Sequence, residues 1–230
     1  MSRFHSLRDR HRGGRCVIVA NGPSLNKMDL SFLKNETTIG LNKIFLGFEQ
    51  FHFYPRYYVA INEKVIAQEA ERIKAMTCVK FISDRSAAAV PENMQTYHLN
   101  TMNPPSRFCK DIQQGVHEGW TVTYAALQIA YYLGFSEVVL IGMDHRYEYA
   151  GEANAAGRIE GPDLNHFSEA YFGYGQDWDN PDLANSEESY RIARAEYDKA
   201  DRRIIDATVD GACKIFEKAD YRQLFGVKAA

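Results

Sequence analysis

The 230-residue chain has no run near the roughly 18 consecutive apolar residues of a membrane span. It has few cysteines: Cys16, Cys78, Cys109 and Cys213 lie far apart with no CxxC pair. That spacing argues against disulfides or a zinc site and for reduced, mostly buried thiols. A formal charge of -3 gives no global reason to expect a nucleic-acid partner. The N-terminus shows no apolar signal-peptide core, so the cytoplasm is the expected compartment. Repeats and low-complexity tracts are missing too. So are both familiar phosphate loops, the GxGxxG of dinucleotide binders and GxxxxGK[ST].

The remaining composition, 45% apolar and 25% charged, fits one soluble globular domain spanning 1–230. The single charge-biased stretch is "SRFHSLRDRHRGGR" (2–15), with five Arg and two His against one Asp. A solvated lead-in segment is its commoner meaning; attraction to an anionic membrane surface is the functional one.

"RCVIVA" (15–20) is a continuous apolar run of the kind buried on both faces of a parallel sheet. "TTIGLN" (37–42), "YYVAIN" (57–62), "CVKFIS" (78–83), "EVVLIGMD" (137–144), "RIIDAT" (203–208) and, more weakly, "QTYHL" (95–99) read as further strands. Helical periodicity predicts helices over 63–76, 121–135 and 186–203, the second capped by Thr121 and stopped at Gly134, the third capped by Ser186 or Asn185. The alternation implies an α/β fold: a Rossmann-like, mainly parallel sheet with helices on both faces. Two segments resist assignment, 100–120 with Pro104 and Pro105, and 145–184, which is long, aromatic and rich in Gly, Asp and Asn. The second is read as an inserted lid.

The strand candidates end in Asn21, Asn42, Asn62, Ser83, Asp144 and Asp206. In open α/β sheets ligands bind outside the carboxyl ends of the strands. Asparagine offers a donor and an acceptor without charge, and so suits ribose, base edges and phosphate. In the turn Asn21-Gly22-Pro23-Ser24, Gly22 permits close backbone approach, Pro23 stiffens the turn, and Ser24 can cap a helix or bind an anion.

The "NGPSL" turn followed by Asn42 and Asn62 resembles the bacterial CMP-sialic-acid-dependent sialyltransferases. "TVTYAALQIAYYLGFSEVVLIGMD" is similar to that family's small-residue helix, apolar strand and G-x-D, and "NHF" (165–167) lies where it places its catalytic histidine. The resemblance implies that Asn21, Gly22, Ser24, Asn42 and Asn62 bind cytidine monophosphate and that His166 is the general base. It also implies a tyrosine pair on the leaving phosphate; Tyr147 falls close to the first, while Tyr149, Tyr171 and Tyr174 compete for the second. A second resemblance covers almost the whole chain: "GRCVIVANGPSLNKMDLSFLKNE", "LNHFSEAYFGYG" and "DATVDGACKIF" are similar to a bacterial family grouped with the 6-hydroxymethylpterin diphosphokinase MptE.

Thr121 and Thr123, at a helix start, can face an anion, although helix capping is their commoner role. Asp144 suits a ribose or substrate hydroxyl. His145 competes with His166 as base, and Trp120 and Trp178 can stack on a ring or serve the core. The first functional expectation is a metal-independent glycosyltransferase with a CMP-activated acidic sugar as donor and a glycan hydroxyl as acceptor, needing no further cofactor. The alternative is a diphosphokinase using Mg-ATP, with Asp144 and Glu63 as metal candidates. A non-catalytic nucleotide-binding module is the third. The expected partners are donor and acceptor, without nucleic acid; peripheral contact with the inner membrane face and homo-oligomer formation are left open.

Overall fold

The computed structural model describes residues 2–103, 105–158 and 161–228; Pro104 lies outside them. Strands β1 (Arg15–Val19), β2 (Thr38–Leu41), β3 (Tyr57–Ala60), β4 (Val79–Ser83) and β5 (Thr96–Leu99) lie side by side in chain order. The short pair β6 (Thr101–Met102) and β7 (Val116–His117) follows, and then β8 (Glu137–Ile141) returns on the other flank of β1. β9 (Ala156–Arg158) and β10 (Asp177–Asp179) pair antiparallel outside the main sheet, which β11 (Arg203–Asp206) and β12 (Glu217–Lys218) complete. Its order is β12-β11-β8-β1-β2-β3-β4-β5, and every neighbouring pair is parallel. The expected strands and the Rossmann-like α/β architecture are therefore present, with one short strand, β12, beyond the last expected one.

The helices are α1 (Phe48–Phe51), α2 (Glu63–Gln68), α3 (Ala70–Ala75), α4 (Val122–Tyr132), α5 (Leu183–Asp198) and α6 (Tyr221–Phe225). Alternate residues of β1 feed two cores, one on each face of the sheet. Cys16 and Ile18 pack with α4 and α5, while Val17 and Val19 pack with Leu25, Ile66 and Tyr221. Nine of the eleven α4 residues are buried, which explains the small side chains along "TYAALQIA": a helix covered on nearly every side has no polar face. The buried Gln128 donates to His117 O (2.8 Å) and Tyr124 O and accepts from the Cys109 and His117 amides, fastening the 100–120 segment to the helix.

The helix expected over 63–76 breaks at Glu69 into α2 and α3, where the Glu69 carboxylate turns to the buried Lys43 ammonium. α5 begins earlier than expected because Asp182, not Asn185 or Ser186, caps it, accepting the Asn185 amide at 3.0 Å. The basic N-terminal stretch caps α4. The amides of Asp9, His11 and Gly13 donate to the carbonyls of Tyr132, Leu133 and Gly134, which α4 leaves without internal partners. Arg3, Arg8, Arg12 and Arg15 pair with Glu92, Asp111, Asp9 and Glu36, so four of the five arginines are already neutralised. No described helix is long and apolar enough to cross a membrane. Cys16, Cys78 and Cys213 are buried, and all four cysteines are free.

Candidate active site

All strands of the main sheet run the same way, so their carboxyl ends share one edge. The connections switch direction at β1, with β2 on one side and β8 on the other. A crevice opens outside such a point. Here it is a cavity of about 350 Å³. Asn21, Asn42, Asn62 and Asp144 line it along the strand edge, Trp120, Thr121 and Thr123 at the start of α4, and Tyr147, His166, Tyr171 and Trp178 from the segment between β8 and α5.

Pro23 and Ser24 do not line it. Ser24 is fully buried, and its amide (3.0 Å) and hydroxyl (2.6 Å) both donate to the Asp144 carboxylate. The turn therefore closes on a carboxylate of the chain itself, where the sequence reading had placed a ligand's phosphate. Gly22 serves the same closure: a Cβ there would strike the Asp144 carboxylate and come within 2.7 Å of the Gly142 carbonyl oxygen. Burial pushes the Asp144 carboxyl up, against the opposing pull of the Ser24 hydrogen bonds.

The three asparagines differ. Asn62 caps α2, its side chain accepting the Val65 amide at 3.1 Å. Asn21 donates to Leu41 O at 3.0 Å, tying the end of β1 to that of β2, while its Oδ1 is buried without a partner among the described residues. Asn42, in the left-handed region at φ 45°, also has a buried Oδ1 without a partner among the described residues. A buried carbonyl oxygen left unpaired costs about 1–3 kcal/mol. Two such acceptors on one cavity suit a ligand rich in hydroxyl or amino donors.

His166 is held from several sides. Its Nδ1 bonds Asp163 Oδ2 at 2.7 Å, its ring stacks on Tyr171 at 3.7 Å and 1°, and Phe172 meets it edge-on. Asp163 is buried, and its other oxygen accepts the Asn165 amide at 2.8 Å. Nε2 is left facing no protein partner among the described residues. A carboxylate on Nδ1 sets the tautomer with Nε2 as acceptor and stabilises the imidazolium once Nε2 is protonated.

The segment between β8 and α5 is docked by polar contacts. The Phe167 amide donates to Asn21 O (2.9 Å), and Asn26 Nδ2 donates to Phe167 O (2.8 Å), so the NGPSL turn carries the His166 segment. Asn165 brackets Glu148, accepting its amide (2.7 Å) and donating to its carbonyl (2.9 Å), which sets Tyr147 beside His166. Burial raises the Tyr147 phenol to about 12, helped by the negative Asp144 and Asp163, so it remains a proton donor at neutral pH. Lys43, 1% exposed, donates to Tyr171 O (2.7 Å), Gln68 and Gln176 beneath that segment. Burial lowers its pKa, with Glu69 opposing.

Thr121 caps α4 by accepting the Thr123 amide and also accepts the Tyr190 hydroxyl at 3.4 Å. His145 reaches Glu187 at 3.3 Å, and burial lowers its pKa. Tyr149 donates to Pro181 O at 3.2 Å, and Tyr174 is 83% exposed; neither lines the cavity. Glu63 pairs with Arg85. Among the cavity-lining cations Lys64 pairs with Asp179, while Arg146 has no carboxylate within 4.0 Å among the described residues. No described group of three His, Cys, Asp or Glu side chains is placed to hold a metal ion.

Sequence reading missed Asp163, Asn165 and Lys43. The Asp-x-Asn-His spacing was a local signal for the first two, since an aspartate accepts the amide two residues on in an Asx turn. Lys43 had no local signal, because most of its partners are distant in the chain.

No curated protein matches the chain. Among solved structures the fold is similar to that of the MAf glycosyltransferase from Magnetospirillum magneticum AMB-1, with a TM-score of 0.57, 14% identity and 93% of this chain covered. The match covers 35% of that protein, so this chain spans about a third of its length, and the likeness is one of fold. Residues 1–150 match the family model described as 6-hydroxymethylpterin diphosphokinase MptE-like, and the chain belongs to that family.

Proposed function

We propose that the protein is a nucleotide-sugar-dependent glycosyltransferase whose donor is a CMP-activated acidic sugar. The observation that carries this reading is His166, held by the buried Asp163, on a cavity with two unpartnered asparagine acceptors. In the transfer, Nε2 of His166 takes the proton of an acceptor hydroxyl, whose oxygen attacks the anomeric carbon of the sugar. The carbon–oxygen bond to the phosphate breaks, and cytidine monophosphate leaves with the electron pair. Tyr147, kept protonated by burial, hydrogen-bonds the departing phosphate, with Thr121 and Thr123 lining the same cavity. Arg146 suits the sugar carboxylate. Asn21 and Asn42 accept from ribose or base donors. The glycosyltransferase fold of the solved neighbour is consistent with this chemistry.

The family description favours a second reading, diphosphoryl transfer from Mg-ATP to a hydroxymethylpterin. Asp144 is less suited to metal there, because Ser24 engages both its oxygens. Thermal shifts with CMP, CDP, UDP, GDP and ATP, each with and without Mg²⁺, separate the two. We expect the largest shift with CMP, independent of metal; stabilisation by Mg-ATP alone overturns the glycosyltransferase reading.

A further inference from the structure

Eight described non-glycine residues have a positive φ. Seven are Asp, Asn or His, the types that adopt the left-handed conformation most readily; the eighth is Trp120, at φ 64°. A bulky aromatic there is a steric outlier, and such strain persists where the surroundings enforce it. Here they do. Gly119 precedes it at φ 57°, so close to α4 that a Cβ would strike the Tyr124 ring. Glu118 is paired with Arg85, and Thr121 caps α4.

The strain does not bury the indole, for Trp120 is 40% exposed and lines the cavity. Trp178, the molecule's other tryptophan, also borders the cavity but is buried against Phe172. Exposure separates two ring positions. The acceptor oxygens of Asn21 and Asn42 are buried, where hydroxyl and amino donors of a nucleoside fit; Trp120 is open to solvent.

We infer that Trp120 is the stacking surface for the acceptor, presenting its indole face to the C–H face of a pyranose ring. That the ring belongs to an acceptor rests on the glycosyltransferase reading, while the stacking itself is measurable without turnover. An indole offers a large flat apolar surface at low conformational cost, which suits a ring-shaped, hydroxyl-rimmed ligand.

The test titrates the protein with the methyl glycosides of galactose, glucose and N-acetylglucosamine, and separately with CMP, following tryptophan emission. At least one glycoside should change the emission of the wild-type protein and leave Trp120→Phe, whose sole tryptophan is the buried Trp178, unchanged. Trp120→Gly should keep its melting temperature, since glycine adopts this φ freely, and should bind that glycoside on the order of tenfold more weakly. An emission change with CMP but with no glycoside assigns the indole to the nucleobase and overturns the proposal. No change with any glycoside overturns it too, as does a Trp120→Gly variant that melts far below the wild type, which marks the indole as packing. The CMP thermal shift of the wild-type protein tests the donor reading independently of all these outcomes.

Discussion

At the strand edge, Asn21, Asn42 and Asn62 take their places from parallel strands, each flanked by a hydrogen-bonded neighbour on either side. Across the cavity, His166 and Tyr147 take theirs from Asp163, Asn165, Asn26 and Lys43, whose side chains hold a segment with one short antiparallel pair. The first wall rests on a continuous backbone ladder, so no single side chain decides its shape. The second rests on a few charge-assisted or amide contacts. A rigid edge suits recognition of a nucleotide. A wall hung on side chains suits chemistry, which needs one imidazole nitrogen held in the open with its partner nitrogen fixed.

The sharpest break between the two walls is His166→Ala. Turnover should fall by roughly 10²–10⁴-fold, the usual worth of a positioned general base, with CMP thermal shift retained. Asp163→Asn should lower turnover less, because the ring keeps its stack on Tyr171 while losing the carboxylate that stabilises its charged form. Loss of CMP binding in either variant would show that the two walls are not separable.

The same division decides what could be read from the sequence. β1 and β8 were plain because strands buried on both faces must be continuous apolar runs, and α4 was plain through its Thr121 cap and the Gly134 stop at φ 91°. Asn21, Asn42 and Asn62 followed as strand ends. Resemblance supplied His166, but Asp163 and Lys43 were missed, since a polar residue inside a long loop looks solvated unless its distant partner is known. Ser24 was misread for a related reason: the anion that occupies its amide and hydroxyl is Asp144, which lies 120 residues away.

Next in size is the effect on nucleotide affinity. Asn42→Gly removes a buried acceptor while glycine tolerates the φ of 45°. Calorimetry should show CMP binding weakened by about 5–10-fold, the worth of roughly one hydrogen bond. Unchanged affinity would take Asn42 out of the nucleotide site. Lys43→Met tests the segment between β8 and α5 without touching the cavity. It fills the buried space but drops the bonds to Tyr171, Gln68 and Gln176, so amide exchange over 163–180 should quicken while β1 and β8 stay protected. Uniform loss of protection would mean that this segment does not open on its own.

The smallest expected effect concerns His145, which joins the walls as the first residue after Asp144. Burial lowers its pKa from the ordinary 6.5, and the same direction holds for His11 and His117. As pH falls below about 6.5 the unfolded chain takes up protons that the folded chain resists, so stability falls until the depressed folded values are reached. Asp144 works the other way. Its raised pKa lets the folded chain take up a proton first, so acidification toward the ordinary 3.8 relieves the cost of its buried charge. The two contributions to melting temperature have opposite signs as pH falls, and substitution tells them apart. His145→Gln should flatten the decline just below pH 6.5, leaving the part owed to His11 and His117. An unchanged slope would place the pH response of the fold in the N-terminal arm and the 100–120 segment, away from the junction of the two walls.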